Sequence, residues 1–183
     1  MPPLVMIIRH AEKPIDGQDR GVDALGSPDA ESLTPRGWQR AGALVGLFDP
    51  SRAESRNVAL PTPTHLFASK VGPQSSSKRP LETLQPLSER LGIETDTSHR
   101  KEELGQLVQA VRAIDGVVLI SWEHQLIPSI ANGLVGNSSV PQIWPDERYD
   151  LVWLIDLRRS TQTPNFRQVP QLLLHGDLAS VIE

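Results

Sequence analysis

The amino-acid sequence predicts an α/β fold: one domain over residues 1–183, a three-layer sandwich with a mostly parallel sheet between two layers of helices. Residues 4–8 and 117–120 are short runs of apolar side chains, a composition typical of strands that are buried on both faces. Segments with apolar residues at helical spacing lie between such runs. Strands that alternate with helices in this way favour a parallel sheet with both faces covered.

Length, composition and charge exclude several classes of protein. At 183 residues the chain fits one domain with a sizeable core, and its 38% apolar and 22% charged residues are ordinary for a globular protein. It has neither an apolar run long enough to cross a membrane nor a segment typical of a signal peptide, so we expect a complete, cytoplasmic chain with no membrane partner. The chain has no cysteine and therefore no disulfide, and its net charge of −4 argues against nucleic-acid binding.

The first predicted strand, residues 4–8, leads into a helix through a long polar connection. This connection covers residues 14–33, and a loop of such length is usually functional or mobile. Thr34 as the N-cap and Pro35 in the first helical position then begin the helix. Its buried face is formed by residues at helical spacing, namely Trp38, Ala41, Leu44, Val45 and Phe48.

The second strand is followed by a segment of unusual composition. We predict this strand at residues 65–69, and the segment 70–78 after it is rich in Gly, Pro and Ser. A helix over residues 80–91 follows and ends at Gly92, and we expect Pro86 to kink it or to displace its start.

The remaining elements continue the alternation. In order they are a short strand at 93–96, a helix at 104–114, a strand at 116–121, a helix at 126–134, and strands at 151–157 and 166–174. Because proline cannot donate to a strand ladder, Pro170 predicts an edge position for the last strand.

Cationic and imidazole side chains follow three of these strands. Arg9 and His10 end the first, Arg79 follows the second through the segment 70–78, and His124 follows the strand at 116–121. Ligands in open α/β sheets bind outside the carboxyl ends of the strands, so these side chains are expected to meet there. Two arginines and two histidines suit a phosphoryl group, because the arginine fork matches its oxygens in pairs. Two alternatives to Arg79 remain, Lys70 and Lys78.

The same positions resemble the histidine phosphatase superfamily, which includes phosphoglycerate mutases and many phosphatases. Four motifs in the family's order carry the resemblance: Ile8-Arg9-His10-Ala11-Glu12, Leu33-Thr34-Pro35-Arg36-Gly37, Arg79-Pro80-Leu81-Glu82-Thr83 and Val118-Leu119-Ile120-Ser121-Trp122-Glu123-His124. The first looks like the family's Arg-His-Gly signature, with alanine in place of glycine.

The resemblance implies a phosphatase that hydrolyses a phosphomonoester through a phosphohistidine. His10 would attack phosphorus, while Arg9, Arg79 and His124 would hold the phosphoryl oxygens until water releases phosphate. The partner would be a small phosphorylated substrate, and the resemblance implies no cofactor. Two alternatives stay open: a phosphoglycerate mutase-like phosphotransferase, and a phospholigand-binding protein with weak turnover.

The general acid is less well defined. Gln125 follows His124, which differs from the acid-phosphatase branch of the family, where aspartate follows this histidine. In the phosphoglycerate mutase-like branch the acid is a glutamate after the third strand, so the resemblance implies Glu102. The alternatives are Glu103, Glu12 and Glu123. We predict no metal site, because the sequence lacks a His-x-x-x-His motif and clustered acidic residues. No visible feature specifies an oligomeric state.

Overall fold

The computed structural model describes residues 1–15, 19–49, 60–73, 75–158 and 165–183. Within them, six strands form one sheet: β1 (Leu4–Arg9), β2 (His65–Ala68), β3 (Thr95–Asp96), β4 (Val117–Trp122), β5 (Leu151–Asp156) and β6 (Asn165–Pro170). The helices in the same residues are α1 (Pro35–Phe48), α2 (Arg79–Leu91), α3 (Leu104–Arg112) and α4 (Ile127–Val135), and a 3₁₀ turn at His124–Leu126 precedes the last of them. No helix in this part of the chain is both long and apolar enough to cross a bilayer.

The strand order across the sheet is β3-β2-β4-β1-β5-β6. The first four strands in this order pair in parallel, whereas β5 lies antiparallel to both β1 and β6. The predicted α/β class is therefore confirmed, with one reversed strand in a mostly parallel sheet. As a result, the segment that enters β5 lies at the same edge of the sheet as the carboxyl end of β1, where Ile8 pairs with Val152.

The strand β1 lies at the centre of the core. Its six residues are all buried, and its side chains alternate between two apolar clusters. On one face, Val5 and Ile7 pack in a cluster with apolar residues of α3 and α4. On the other face, Met6 and Ile8 pack with apolar residues of α1 and α2. The two helical layers were predicted, and the apolar run of β1 is explained by burial on both sides.

Two element boundaries differ from the sequence prediction. The helix α2 begins at Arg79 and contains Pro86 in its interior, so this proline does not displace the start. Its end at Gly92, which has the left-handed φ of 66°, is confirmed. The last strand ends at Pro170 rather than at residue 174, because the amides of Leu173 and Leu174 donate to the carboxylate of Asp177 instead of to a strand partner. The edge position of this strand is confirmed.

Candidate active site

A polar hollow of about 340 Å³ lies at the carboxyl edge of the parallel strands. It is lined by His10, Arg79 and His124, three of the side chains that the sequence predicts to converge. Other polar residues around it are Lys13, Glu31, Ser69, Ser75, Ser76, Ser77, Lys101, Glu123 and Gln125. The hollow therefore combines two imidazoles with several cations and hydroxyl groups, a lining suited to an anion.

The imidazole of His10 is fixed in one tautomer. Its Nδ1 lies 2.8 Å from the carbonyl oxygen of Ala11, and because a carbonyl only accepts, Nδ1 carries the proton and donates it. The lone pair is then on Nε2. Burial, together with the nearby positive charges of Arg9 and Arg79, lowers the pKa of His10 from 6.5 to about 3. His10 is therefore a neutral imidazole with a free nitrogen at neutral pH, as a nucleophile must be.

The backbone around His10 is held from two neighbouring elements. The amide of His10 donates to the carbonyl oxygen of Trp122 at the end of β4, at 3.0 Å. The amide of Ala11 donates to Oγ1 of Thr83 in α2 at 2.8 Å, and the same hydroxyl donates to the carbonyl oxygen of Arg79 at 2.7 Å. The threonine four residues after Arg79 thus links the position of the arginine to that of the histidine.

The start of α1 packs directly on the chain that follows His10. The amide of Thr34 donates to the carbonyl oxygen of Glu12 at 3.0 Å, and its side chain caps the helix by accepting from the amide of Gly37 at 3.1 Å. A Cβ atom at Gly37 would lie 2.7 Å from the same Glu12 oxygen. Only glycine permits this approach, which explains the spacing of the Thr-Pro-Arg-Gly motif.

Arg79 lines the hollow, and the two alternative lysines do not. The guanidinium donates to the carbonyl oxygens of Ala30 at 2.7 Å and Ser32 at 3.3 Å. Lys78 instead pairs with Asp29 at 2.6 Å. Lys70 lines a separate cavity of about 260 Å³ next to the hollow.

The chain at Ser32, whose carbonyl accepts from Arg79, is itself fixed by Glu82, a residue to which the sequence analysis gave no role. Its buried carboxylate accepts from the hydroxyl of Ser32 at 2.7 Å and from the amide of Leu33 at 3.0 Å. Burial raises the pKa of Glu82. These contacts anchor the end of the long connection 14–33, whose residues 16–18 lie outside the described residues.

Arg9, the remaining phosphoryl ligand that the resemblance implies, is not among the residues that line the hollow. It is 1% exposed, and its guanidinium carbon lies 3.8 Å from the centre of the Tyr149 ring. Its terminal nitrogens donate to the carbonyl oxygens of Pro145, Asp146 and Arg148 and to the hydroxyl of Tyr149. Its Nε is buried and has no hydrogen-bond partner among the described residues. Arg9 therefore holds the segment 145–149 through its terminal nitrogens.

His124 makes a contact that the sequence did not indicate. Its Nε2 is hydrogen-bonded to the carboxylate of Asp146, while its Nδ1 is buried without a partner in the described part of the chain. Burial and the charge of Arg9 lower the pKa of His124, and the Asp146 carboxylate opposes them. Asp146 and Tyr149 were missed because they precede a strand, whereas sequence reasoning examined residues that follow strands.

Two of the four candidate acids are occupied by other contacts. The carboxylate of Glu12 accepts from Nε and Nη2 of the buried Arg40, at 2.8 to 3.1 Å. The carboxylate of Glu103 accepts from the backbone amide of Arg100 at 2.8 Å, just before α3. Both glutamates are thereby held in structural roles.

The other two candidate acids lie at or beside the hollow. Glu123 lines it and is 3.5 Å from the ammonium group of Lys101. Glu102 lines the adjacent cavity with Lys70 and is largely exposed. The structure thus places Glu123, rather than the preferred Glu102, in the same hollow as His10.

No group of three or more His, Asp or Glu side chains suited to a metal ion occurs among the residues that the structure describes. Comparison by sequence finds no matching family model, and no well-characterised protein matches the chain.

Comparison by structure finds clear matches to solved proteins. YhfR from Bacillus stearothermophilus is 14% identical with a TM-score of 0.54, and the match covers 96% of this chain and 98% of that one. A mutant phosphoserine phosphatase from Entamoeba histolytica, solved with phosphoserine, is 12% identical with a TM-score of 0.53, covering 90% and 94%. A mycobacterial glucosyl-3-phosphoglycerate phosphatase is 14% identical with a TM-score of 0.50, covering 91% and 97%. At these identities the likeness establishes a shared fold.

Proposed function

We propose that this chain, whose fold is that of the histidine phosphatase superfamily, is a phosphatase that hydrolyses a small phosphomonoester through a phosphohistidine on His10. One observation carries the proposal. His10 is a buried, neutral imidazole whose Nδ1 is tied to the carbonyl oxygen of Ala11, and it shares a hollow with Arg79 and His124. This arrangement supplies a nucleophile and donors for a phosphoryl group at one place.

The reaction would proceed in two displacements. In the first, the Nε2 lone pair of His10 attacks phosphorus, and the bond from phosphorus to the ester oxygen breaks. Arg79 and His124, which line the hollow, would donate to the phosphoryl oxygens and stabilise their charge, and the positive charge of Arg9 close to His10 would add to this stabilisation. In the second, water attacks the phosphohistidine, which releases inorganic phosphate and restores His10. The residues 1–183 would carry out both steps as one domain.

The leaving oxygen needs a proton, and Glu123 and Glu102 are the candidates for its donor. Glu123 is favoured by its position in the hollow, and Glu102 by the resemblance. We expect Glu123→Gln to lower kcat for an alkyl phosphate by about a hundredfold. With p-nitrophenyl phosphate, whose leaving group needs no proton, we expect little change. The same contrast in Glu102→Gln and not in Glu123→Gln would assign the acid to Glu102.

The substrate is expected to be small. Two structural neighbours were solved with phosphoserine and with 3-phosphoglyceric acid, both small phosphomonoesters. The hollow of about 340 Å³ is consistent with a ligand of that size.

The experiment that tests the proposed function is a panel of phosphomonoesters, assayed for released phosphate with the wild type and with His10→Ala. We expect the variant to lose activity by at least about a thousandfold. Rapid quenching of the wild type with a labelled substrate should trap an acid-labile, base-stable phosphoryl group on His10. A long-lived label that passes to a second alcohol would instead identify a phosphotransferase. Binding without any label or release would identify a phospholigand-binding protein.

A further inference from the structure

We propose that Asp146 positions His124 for the phosphoryl group and stabilises the protonated form of its imidazole. The inference rests on the proposed function for the identity of the group that His124 binds. It depends on two contacts: that of Asp146 with His124, and that of Arg9 with the segment 145–149 that carries Asp146.

The contact with Asp146 determines which nitrogen of His124 is available. A carboxylate only accepts, so Nε2 of His124 carries a proton and donates it to Asp146. The other nitrogen, Nδ1, is buried and has no partner among the described residues. In a neutral ring with the proton on Nε2, Nδ1 holds a lone pair and would repel a phosphoryl oxygen. His124 can therefore donate to the phosphoryl group only as an imidazolium, protonated on both nitrogens.

Most of the surroundings of His124 disfavour its protonation, whereas the carboxylate of Asp146, in direct contact with the ring, favours it. Burial lowers the pKa of His124, and the positive charges of Arg9 in β1 and of Lys13 after it add to this effect. The other ionisable groups around the hollow are His10, Glu31, Arg79, Lys101 and Glu123. Asp146 favours the imidazolium by pairing with it, as the carboxylate of a catalytic triad does for its histidine.

The contacts of Arg9 explain how the exposed carboxylate of Asp146 is kept in its hydrogen bond with His124. The side chain of Asp146 is 77% exposed, and an exposed pair of this kind is ordinarily weak because its side chains are free to move. Here the backbone on either side is fixed, since Arg9 binds the carbonyls of Pro145 and Arg148 and lies against the ring of Tyr149. Because this backbone is already ordered in the folded protein, the contact with His124 costs little further conformational entropy. Arg9 acts on His124 through this segment.

The test compares Asp146→Asn with Glu147→Gln as a matched control. Both variants remove one negative charge from adjacent positions, and Glu147 lies close enough to Arg9 to raise its pKa, whereas the contact with His124 is made by Asp146. We would measure kcat/KM for a phosphomonoester against pH and express each variant as a ratio to the wild type, which cancels the ionisation of the substrate. A second readout is the NMR titration of the His124 ring, assigned among the five histidines by comparison with His124→Gln.

For Asp146→Asn we expect kcat/KM at neutral pH to fall by about tenfold, the size of one lost charge-assisted hydrogen bond. The ratio should decrease as the pH rises, because His124 loses its proton at a lower pH in the variant, and the NMR titration of His124 should move to lower pH. Glu147→Gln should leave both nearly unchanged. The proposal is overturned if His124 titrates in Asp146→Asn as in the wild type, or if both variants shift it equally. A wild type without turnover would refute the proposed function, while the NMR titration would still decide whether Asp146 governs His124.

Discussion

At the scale of single residues, Thr83 couples the two halves of the site. Its hydroxyl accepts from the amide of Ala11 and donates to the carbonyl oxygen of Arg79. In Thr83→Val the amide of Ala11 would be buried without a partner, which costs about 1–3 kcal/mol or displaces the chain at His10. We expect kcat/KM to fall by at least about tenfold, because small displacements of a nucleophile are costly. The control Thr83→Ser keeps the hydroxyl and should retain most of the activity, and equal losses in both variants would contradict this role.

The buried His10 also predicts a dependence of stability on pH. Its pKa is lowered to about 3 in the folded protein, from 6.5. Above pH 6.5 neither state binds the proton, whereas between 6.5 and 3 the unfolded chain binds it and the folded protein does not. The free energy of unfolding therefore falls by about 1.4 kcal/mol for each unit by which the pH is lowered through this range.

The comparison with His10→Asn isolates this effect, since asparagine does not titrate. Urea unfolding at about pH 7.5 and about pH 5 should show the wild type losing roughly 2 kcal/mol more than the variant. Identical losses in the two proteins would mean that His10 titrates normally and is not the buried neutral imidazole described above.

The sequence was sufficient to predict that three residues meet in the candidate site, and insufficient for the position of Arg9. His10, Arg79 and His124 could be placed because each follows a recognisable strand on the edge where parallel strands end. The surroundings of Arg9 could not be predicted, because its partners are mainly backbone carbonyls. Every residue has a backbone carbonyl, so the residue types in the sequence do not indicate such contacts. The same applies to the choice between acids, which depends on which glutamates are already bound elsewhere.

At the scale of elements, the start of α1 carries a precise steric requirement. A Cβ atom at Gly37 would lie 2.7 Å from the carbonyl oxygen of Glu12 and 3.0 Å from the side chain of Leu33. We expect Gly37→Ala to lower the free energy of unfolding by about 1–3 kcal/mol, because helix and chain must move apart. Gly46 in the same helix is the matched control, since nothing lies within 4 Å of its Cβ position among the described residues.

Gly46→Ala should stabilise the protein by about 0.5–1 kcal/mol through its higher helix propensity. Both variants can be measured by urea unfolding. A Gly37→Ala variant that is as stable as Gly46→Ala would show that the contact with Glu12 relaxes easily and does not fix the site.

The direction of β5 is the element-scale feature that the sequence did not reveal. A strand buried on both faces has the same apolar composition whichever way it runs, so residues 151–156 predict burial but not direction. Because β5 is reversed, its preceding segment, which carries Asp146 and Tyr149, arrives at the edge occupied by His10 and His124. Asp146 therefore meets His124 there, and Tyr149 meets Arg9, although no sequence motif predicts either contact.

At the scale of the whole molecule, a buried network joins the C-terminal segment to the chain after His10. Arg40 is 2% exposed and donates to Glu12, Gln171 and Asp177. We expect Asp177→Asn to lower the free energy of unfolding by about 3 kcal/mol, because Arg40 loses one of its two charged partners in a buried place.

The matched control for that variant is Asp19→Asn, at an exposed position, for which we expect a change within about 0.5 kcal/mol. Urea unfolding of both variants measures the difference. A loss in Asp177→Asn that is no larger than in Asp19→Asn would show that the network contributes little to stability.

The strand order has a consequence for synthesis of the protein. The central strand β1 pairs with β4 and β5, which lie more than 100 residues later in the chain. A ribosome adding about 5–20 residues per second needs roughly 5–20 s to reach β4, and throughout that time the apolar β1 has no strand to pair with. Nascent chains stalled before residue 117 should accordingly bind chaperones and be cleaved rapidly by added protease, and this sensitivity should fall sharply once β4 has left the exit tunnel.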